Sequence, residues 1–278
     1  GFRGSWISLR VERLVRRQKR AAAASFSVDG LRSAHRPFPF PLIDTARRSA
    51  FEITLQPDAP AIVAPGLPLL GGEAVEKIFS ANRMEAGAGS FTLFEAPGWR
   101  FGTASVRLDD GLEATTHRLY AEMLAAVGGL HLARIWNYVP AINAPGPGGL
   151  ENYRLFCRGR ARAFEELHGE TYKAFLPAAS AVGCAGEHLT VVFAACAASP
   201  RHFENPLQTP AYEYPPEYGP RAPSFARASV VEEPRCVSTF ISGTAAIRGH
   251  QTIAPHQTME QLRCTVDNLR VIARSCGL

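Results

Sequence analysis

What this sequence lacks narrows its function more than what it holds. No run approaches the roughly 20 consecutive apolar residues of a membrane span, so the body is expected to be soluble, with no membrane partner. The six cysteines (Cys157, Cys184, Cys196, Cys236, Cys264 and Cys276) include no CxxC pair, and the eight histidines form neither HxxxH nor HxH. Zinc-ligand spacing is absent, so no metal is expected, and the cysteines read as reduced, mostly buried thiols of a cytoplasmic protein. There is no GxGxxG fingerprint, no Walker loop (Gly146–Gly149 is interrupted by Pro147) and no GxSxG, and neither Ser180 nor Ser242 has a His or Asp neighbour. Dinucleotide, nucleotide-phosphate and serine-nucleophile chemistry thus lack their usual signatures.

What is present is 46% apolar and 20% charged residue content over 278 residues. That excludes disorder as a description of the whole and allows one large or two medium cores. The net charge of +5 is unevenly spread: Arg3, Arg10, Arg13, Arg16, Arg17, Lys19 and Arg20 crowd the first twenty residues against Glu12 alone. The rest of the chain is close to neutral and offers no broad footprint for a phosphate backbone, so no nucleic-acid partner is expected. The basic head lacks the apolar core of a secretory signal. Residues 1–60 therefore read as an irregular basic leader and N-terminal extension.

Legible structure begins near Phe91. Phe91–Phe94 and Arg100–Arg107 read as strands around the turn Ala96-Pro97-Gly98. A helix over 112–127 places Leu112, Leu119, Met123 and Val127 on one face and stops at Gly128-Gly129. Leu130–Val139 is strand-like, and a Pro/Gly loop leads to a second helix over 150–167 with Tyr153, Phe156, Ala163 and Leu167 spaced for burial. Strands follow at Ala178–Gly183 and Leu189–Ala197, then a loop rich in Pro and aromatics over 199–226. Arg227–Glu232 and Val237–Arg248 read as strands, and a third helix over 257–274 carries the stripe Met259, Leu262, Val266, Leu269, Ile272. The order predicts an α+β fold, a sheet with helices on one face.

The chain also resembles itself. Gly102-Thr103-Ala104-Ser105-Val106-Arg107 recurs as Gly243-Thr244-Ala245-Ala246-Ile247-Arg248, each copy preceded by strand residues and followed by a polar turn and an amphipathic helix. Duplication is the reading, with residues 61–198 as a first unit, 199–226 as an active-site loop and 227–278 as an incomplete second unit. A half-unit leaves a sheet edge and a helix face to be covered by the first copy, by another subunit, or by chain outside this sequence.

Six of the seven tyrosines fall between residues 138 and 218, which directs the search for chemistry. Asn137 and Tyr138 end a strand and face opposite ways, so at most one reaches a ligand. Tyr153 shares the second helix with Arg154, Arg158, Arg160 and Arg162, while Tyr212, Tyr214, Tyr218 and Arg221 lie on the long loop. Guanidinium forks and tyrosine hydroxyls bind carboxylates in partly dry pockets, which implies a small anion, plausibly a dicarboxylate. Alternatives stay open: Arg158 and Arg162 also suit a solvated face, Arg160 falls near the apolar stripe, and the loop tyrosines also suit packing anchors. His202 and His250 read as structural.

These segments carry a family likeness. Ile135-Trp136-Asn137-Tyr138-Val139-Pro140, Leu150-Glu151-Asn152-Tyr153 leading to Gly159-Arg160-Ala161, Pro200-Arg201-His202-Phe203-Glu204-Asn205-Pro206, and the run Tyr218 to Arg227 resemble the chorismatases, a family that includes 3-hydroxybenzoate synthases. Pro177 to Gly183 and Ile241-Ser242-Gly243-Thr244-Ala245 agree as well, so the likeness spans roughly residues 90 to 275.

The resemblance implies two tandem Rid-like units of the chorismate-mutase-like kind, here with the second incomplete, as a monomer with a pseudo-repeat or a Rid-like trimer. It implies release of pyruvate from chorismate, giving 3-hydroxybenzoate, 4-hydroxybenzoate or a dihydroxycyclohexadiene carboxylate, without a cofactor. Chorismate is a small dicarboxylate, and the substrate-binding candidates are Asn137, Tyr138, Tyr153, Arg160, Tyr212, Tyr218, Arg221, Gly243 and Ala245. Protonating a vinyl ether at carbon calls for a carboxylic acid of raised pKa. The family's glutamate lies beyond Leu278, so the catalytic acid is unassigned, and neither Glu204 nor Glu217 matches its motif. A C-terminally shortened enzyme is the reading, one that the missing acid would leave inactive. The alternative is a non-catalytic binder of small aromatic or cyclic carboxylates. An imine deaminase is disfavoured, because Pro177-Ala178-Ala179-Ser180 lacks the arginine that activity uses.

Overall fold

Alternation and helical spacing place the elements between Phe91 and Cys196 close to their expected positions. The computed structural model describes residues 7–14, 52–54, 67, 75–77, 81–84, 87–234 and 236–278. In chain order these hold β1 (Ile7–Leu14), β2 (Glu52–Thr54), β3 (Val75–Lys77), β4 (Asn82–Arg83), β5 (Thr92–Ala96) and β6 (Trp99–Arg107). Then come α1 (Leu112–Val127), β7 (His131–Pro140), α2 (Asn152–His168), β8 (Ala178–Cys184) and β9 (His188–Cys196). The remainder comprises β10 (Arg201–Phe203), β11 (Ala228–Glu232), β12 (Cys236–Thr244), β13 (Ile247–Arg248), β14 (Gln251–Thr252) and α3 (Thr258–Ser275).

The architecture is α+β. A six-stranded sheet runs β4-β5-β6-β9-β7-β8, with only the last pair parallel. Its one face packs on α1 and α2 through Leu119, Met123, Phe156, Phe164, Ile135 and Phe193. The other face carries Phe94, Trp99, Phe101 and Trp136, which meet Val231 and Phe240 of a second sheet ordered β1-β12-β11-β10. Beyond that sheet lies α3, where Ile272 packs on Ala228 and Ile241. With apolar layers on both sides, β7 is buried at every position but its first.

Polar groups fasten the two sheets. Arg134, 1% exposed, donates to the Ile241 carbonyl at 3.1 Å and to Ser180 Oγ at 3.1 Å, with its guanidinium 5.2 Å from the Trp136 ring centre. On the edge strand β8, the Ala178 and Ala179 amides donate to Ser229 Oγ and Ser242 Oγ, each at 2.8 Å. A sheet edge facing the second unit is satisfied side chain by side chain.

Four expectations need correction. The stretch 1–60, read as irregular, contributes β1, antiparallel to β12. The strand expected over Val237–Arg248 breaks at Ala245, because Asn268 of α3 donates to the carbonyls of Ala245 and Ile247 at 2.9 and 3.0 Å and holds a turn there. The two copies of the repeat are therefore not equivalent: Gly102 to Arg107 stays within β6, whereas the later copy leaves its strand after Thr244. Finally, α3 buries Cys264, Thr265, Asn268 and Ile272, while Met259 and Leu262 of the expected stripe are exposed. The tilt of α3 follows the Asn268 contacts rather than apolar spacing alone.

Helices α1 and α2 approach closely at Gly159, where a Cβ would stand 2.4 Å from the Glu113 carbonyl oxygen. Backbone cannot yield as a flexible side chain would. Gly159→Ala is expected to lower unfolding free energy by about 1–3 kcal/mol, read by urea denaturation. An unchanged midpoint would contradict this packing.

Candidate functional site

The N-terminal turns of α2, the loop 199–226 and the turn after β12 converge on a cleft of about 70 Å³, open to solvent. Tyr153 and Arg154 line it from α2, Tyr214 and Tyr218 from the loop, Arg227 from just before β11 and Ile247 from the turn. A smaller recess of about 10 Å³, room for about one water, adjoins it and is lined by Arg160, Cys157, Ser180 and Gly243. Tyr153, Pro223 and Phe225 line both cleft and recess, the outer and inner chambers, and form the wall between them. The loop keeps its place through short helical turns at Ala211–Glu213 and Pro216–Tyr218 and through the Arg221–Glu165 ion pair to α2 at 3.1 Å.

Each chamber holds one buried guanidinium. Arg160, 3% exposed, lies 5.4 Å from the Tyr120 ring centre and 6.0 Å from that of Phe164, and its Nε and one Nη donate to nothing. Arg227, also 3% exposed, donates through one Nη to Tyr214 Oη at 2.9 Å and to the Thr209 carbonyl at 3.3 Å. It stacks 5.2 Å from the Phe225 ring centre, and its Nε has no hydrogen-bond acceptor. Glu204 Oε2 is 4.0 Å from that Nε, and neither oxygen of Glu204 accepts a well-formed hydrogen bond. Burial raises the Glu204 carboxyl to about 7, although the Arg227 guanidinium pulls it back.

Burial also keeps the surrounding hydroxyls and thiol protonated. Tyr153 is held well above its ordinary value, and Cys157 is pushed up to about 12. At neutral pH the Tyr153 hydroxyl is a donor and the Cys157 thiol is unreactive. Tyr214, Tyr218 and His250 form an aromatic cluster at the cleft rim, with His250 Nδ1 3.0 Å from Tyr218 Oη. The chambers thus offer cations and neutral donors around apolar rings, which suits an anionic ring compound.

The residues expected from sequence divide sharply. Tyr153, Arg160, Tyr218 and Gly243 line the chambers. Asn137 does not; its amide accepts from Tyr120 Oη at 2.6 Å and donates to the Ser180 carbonyl at 2.8 Å beneath α1. Tyr138 is buried between the sheets. Tyr212 packs against the main core, with Lys173 Nζ 5.8 Å from its ring centre. Arg221 is spent on the Glu165 pair, and Ala245 is buried at the Asn268 turn, outside both linings. Arg158 and Arg162 face outward, paired with Glu113 and Glu166. Sequence reasoning missed Arg227, whose signal was an arginine beside Phe225 at a strand start in the Tyr-rich segment.

The fold and the site define an α+β protein with an arginine-bearing ligand cleft. Residues 79–195 match the family described as chorismatase FkbO/Hyg5-like, N-terminal. A 3-hydroxybenzoate synthase of Streptomyces hygroscopicus is 39% identical over 156 residues, covering 54% of this chain and 45% of that protein. A chorismatase of the same organism is 35% identical over 238 residues, covering 83% of this chain and 64% of its own length. A chorismatase crystal structure superposes with TM-score 0.63 at 35% identity, over 69% of this chain and 58% of that one. The chain is similar to chorismatases over these stretches, and it spans between 45% and 64% of the length of these curated relatives.

Beside the cleft, His202 places Nδ1 2.9 Å from Ser229 Oγ, and burial lowers its pKa from 6.5 to about 4. The stability it lends is present above about 6.5 and lost as pH falls towards 4, because the unfolded imidazole takes its proton first. Glu204, raised from 4.5 to about 7, contributes with opposite sign: its share is intact below about 4.5 and lost as pH rises through 7. The stability advantage of the native protein over His202→Gln is therefore expected to shrink between about pH 6.5 and 4 in urea unfolding. A gap independent of pH would show that His202 is not a buried neutral imidazole.

Proposed function

We propose that this chain is a chorismatase-type enzyme whose cleft holds chorismate and that acts by releasing its enolpyruvyl group as pyruvate. The observation that carries the reading is the pair of buried guanidiniums, Arg160 and Arg227, each with an unsatisfied N–H, on either side of the Tyr153–Phe225 wall. Among the described residues Arg160 has no carboxylate partner and Arg227 has only Glu204, 4.0 Å from its Nε, so the carboxylates of a dianion would supply the missing acceptors. The likeness to chorismatases supports the substrate class.

In this reading the ring lies against Phe225 and Pro223, and the Tyr153 hydroxyl donates at the divide. Gly243 lines the adjoining recess. The products considered are 3-hydroxybenzoate, 4-hydroxybenzoate and the dihydroxycyclohexadiene carboxylate. Two tandem Rid-like units remain our reading of the repeat, with α3 as the counterpart of α1.

The test is pyruvate release from chorismate, followed by coupled reduction to lactate. Saturable release that falls about 10–100-fold in kcat/KM in Arg160→Met or Arg227→Met is the expected result. Chorismate raising the melting temperature without pyruvate would favour the alternative, a binder of cyclic carboxylates. Neither pyruvate nor a thermal shift would overturn the assignment.

A further inference from the structure

Glu204 has no place in the anion-binding set just described, yet it stands against Arg227, which lines the cleft. It follows β10 directly, and its carboxylate stands 4.0 Å from Arg227 Nε with no other cation reported near it among the described residues. Arg227 meanwhile donates through one Nη to Tyr214 and the Thr209 carbonyl and lines the outer chamber. One guanidinium is therefore shared between an internal carboxylate and the cleft a ligand carboxylate would enter.

We infer that Glu204 is an internal counter-ion that competes with a bound carboxylate for Arg227, so that filling the outer chamber is coupled to proton uptake by Glu204. This rests on the proposed reading of the cleft as an anion site and goes beyond it by naming what sets its affinity. When Glu204 is ionised, it cancels the field of Arg227 and repels an entering carboxylate across a short, poorly solvated distance. When it is neutral, the whole charge of Arg227 faces the chamber. The bound anion in turn disfavours the ionised form of Glu204, so one O–H bond forms on a Glu204 oxygen with a proton taken from solvent. Linkage requires the two effects to be equal in size.

Burial holds the Glu204 carboxyl near neutrality, which places the coupling in an accessible pH range. The charged and titratable groups around it are Arg227, Glu213 and Tyr212. Across the cleft stand Arg154 and its ion-pair partner Glu151, at 3.8 Å. At the rim His250 is hydrogen-bonded to Tyr218. An imidazolium there would also favour anions at low pH, so the experiment has to separate the two.

Calorimetric titration of the intact protein with chorismate, in two buffers of different ionisation enthalpy, reads the protons taken up on binding. Near pH 7 a net uptake of a fraction of one proton is expected, with affinity falling roughly tenfold between about pH 6 and 8.5. The near-isosteric Glu204→Gln should bind at the acid-limb affinity throughout, without proton uptake, while His250→Gln keeps the slope. Binding with no uptake in the native protein, or an unchanged slope in Glu204→Gln, overturns this coupling and leaves the cleft assignment standing. No chorismate binding at any pH overturns both. The native measurement decides the matter even if the variant folds poorly.

Discussion

A buried guanidinium keeps its charge and must find acceptors, and this constraint governs the whole structure. Three arginines are almost wholly buried, and they answer the constraint differently. Arg134 is met by a main-chain carbonyl, a serine oxygen and an indole face, and so ties the two sheets together. Among the described residues Arg160 lies against the Tyr120 and Phe164 rings with its Nε and one Nη unbonded, and Arg227 bonds Tyr214 while its Nε faces Glu204 at 4.0 Å. Cation–π contacts are worth about 0.5–2 kcal/mol each, too little to replace a carboxylate partner in a dry site. The fold therefore leaves guanidinium N–H groups of Arg160 and Arg227 without hydrogen-bond acceptors beside the cleft.

The layered architecture makes that arrangement possible. Helix α2 presents Arg160 inward because Gly159, its neighbour, lets α1 and α2 touch and seal the site from behind. The loop 199–226 would otherwise be free to leave, but the Arg221–Glu165 pair and the packing of Tyr212 hold it against the first unit. It then delivers Tyr214 to Arg227 and Tyr218 to His250. Side chains that looked like ligand contacts thus act one step back, by fixing the ones that line the cleft.

Much of this was legible in the sequence between Phe91 and Cys196, where apolar spacing is regular and glycines end the helices. Arg160 was legible too, by its position near the buried stripe of α2. The rest depended on tertiary contacts that no local pattern records. Ala245 looks like the middle of a strand, and only an amide from α3 breaks it there. Asn137 has the right chemistry for a ligand but is claimed by Tyr120 and Ser180. The alternation Ile7, Leu9, Val11 against Ser8, Arg10, Glu12 signals a strand, but it was masked by the weight of basic residues around it.

The claim that two guanidiniums wait for two carboxylates is tested most directly by comparing a dianion with a monoanion of similar ring size. Calorimetric affinities for chorismate and 3-hydroxybenzoate, measured on the native protein and on Arg160→Met, make that comparison. The account predicts chorismate binding about 10–100-fold tighter than 3-hydroxybenzoate in the native protein, with most of the advantage gone in Arg160→Met. Equal affinities for the two ligands, or an advantage that survives removal of Arg160, would contradict it.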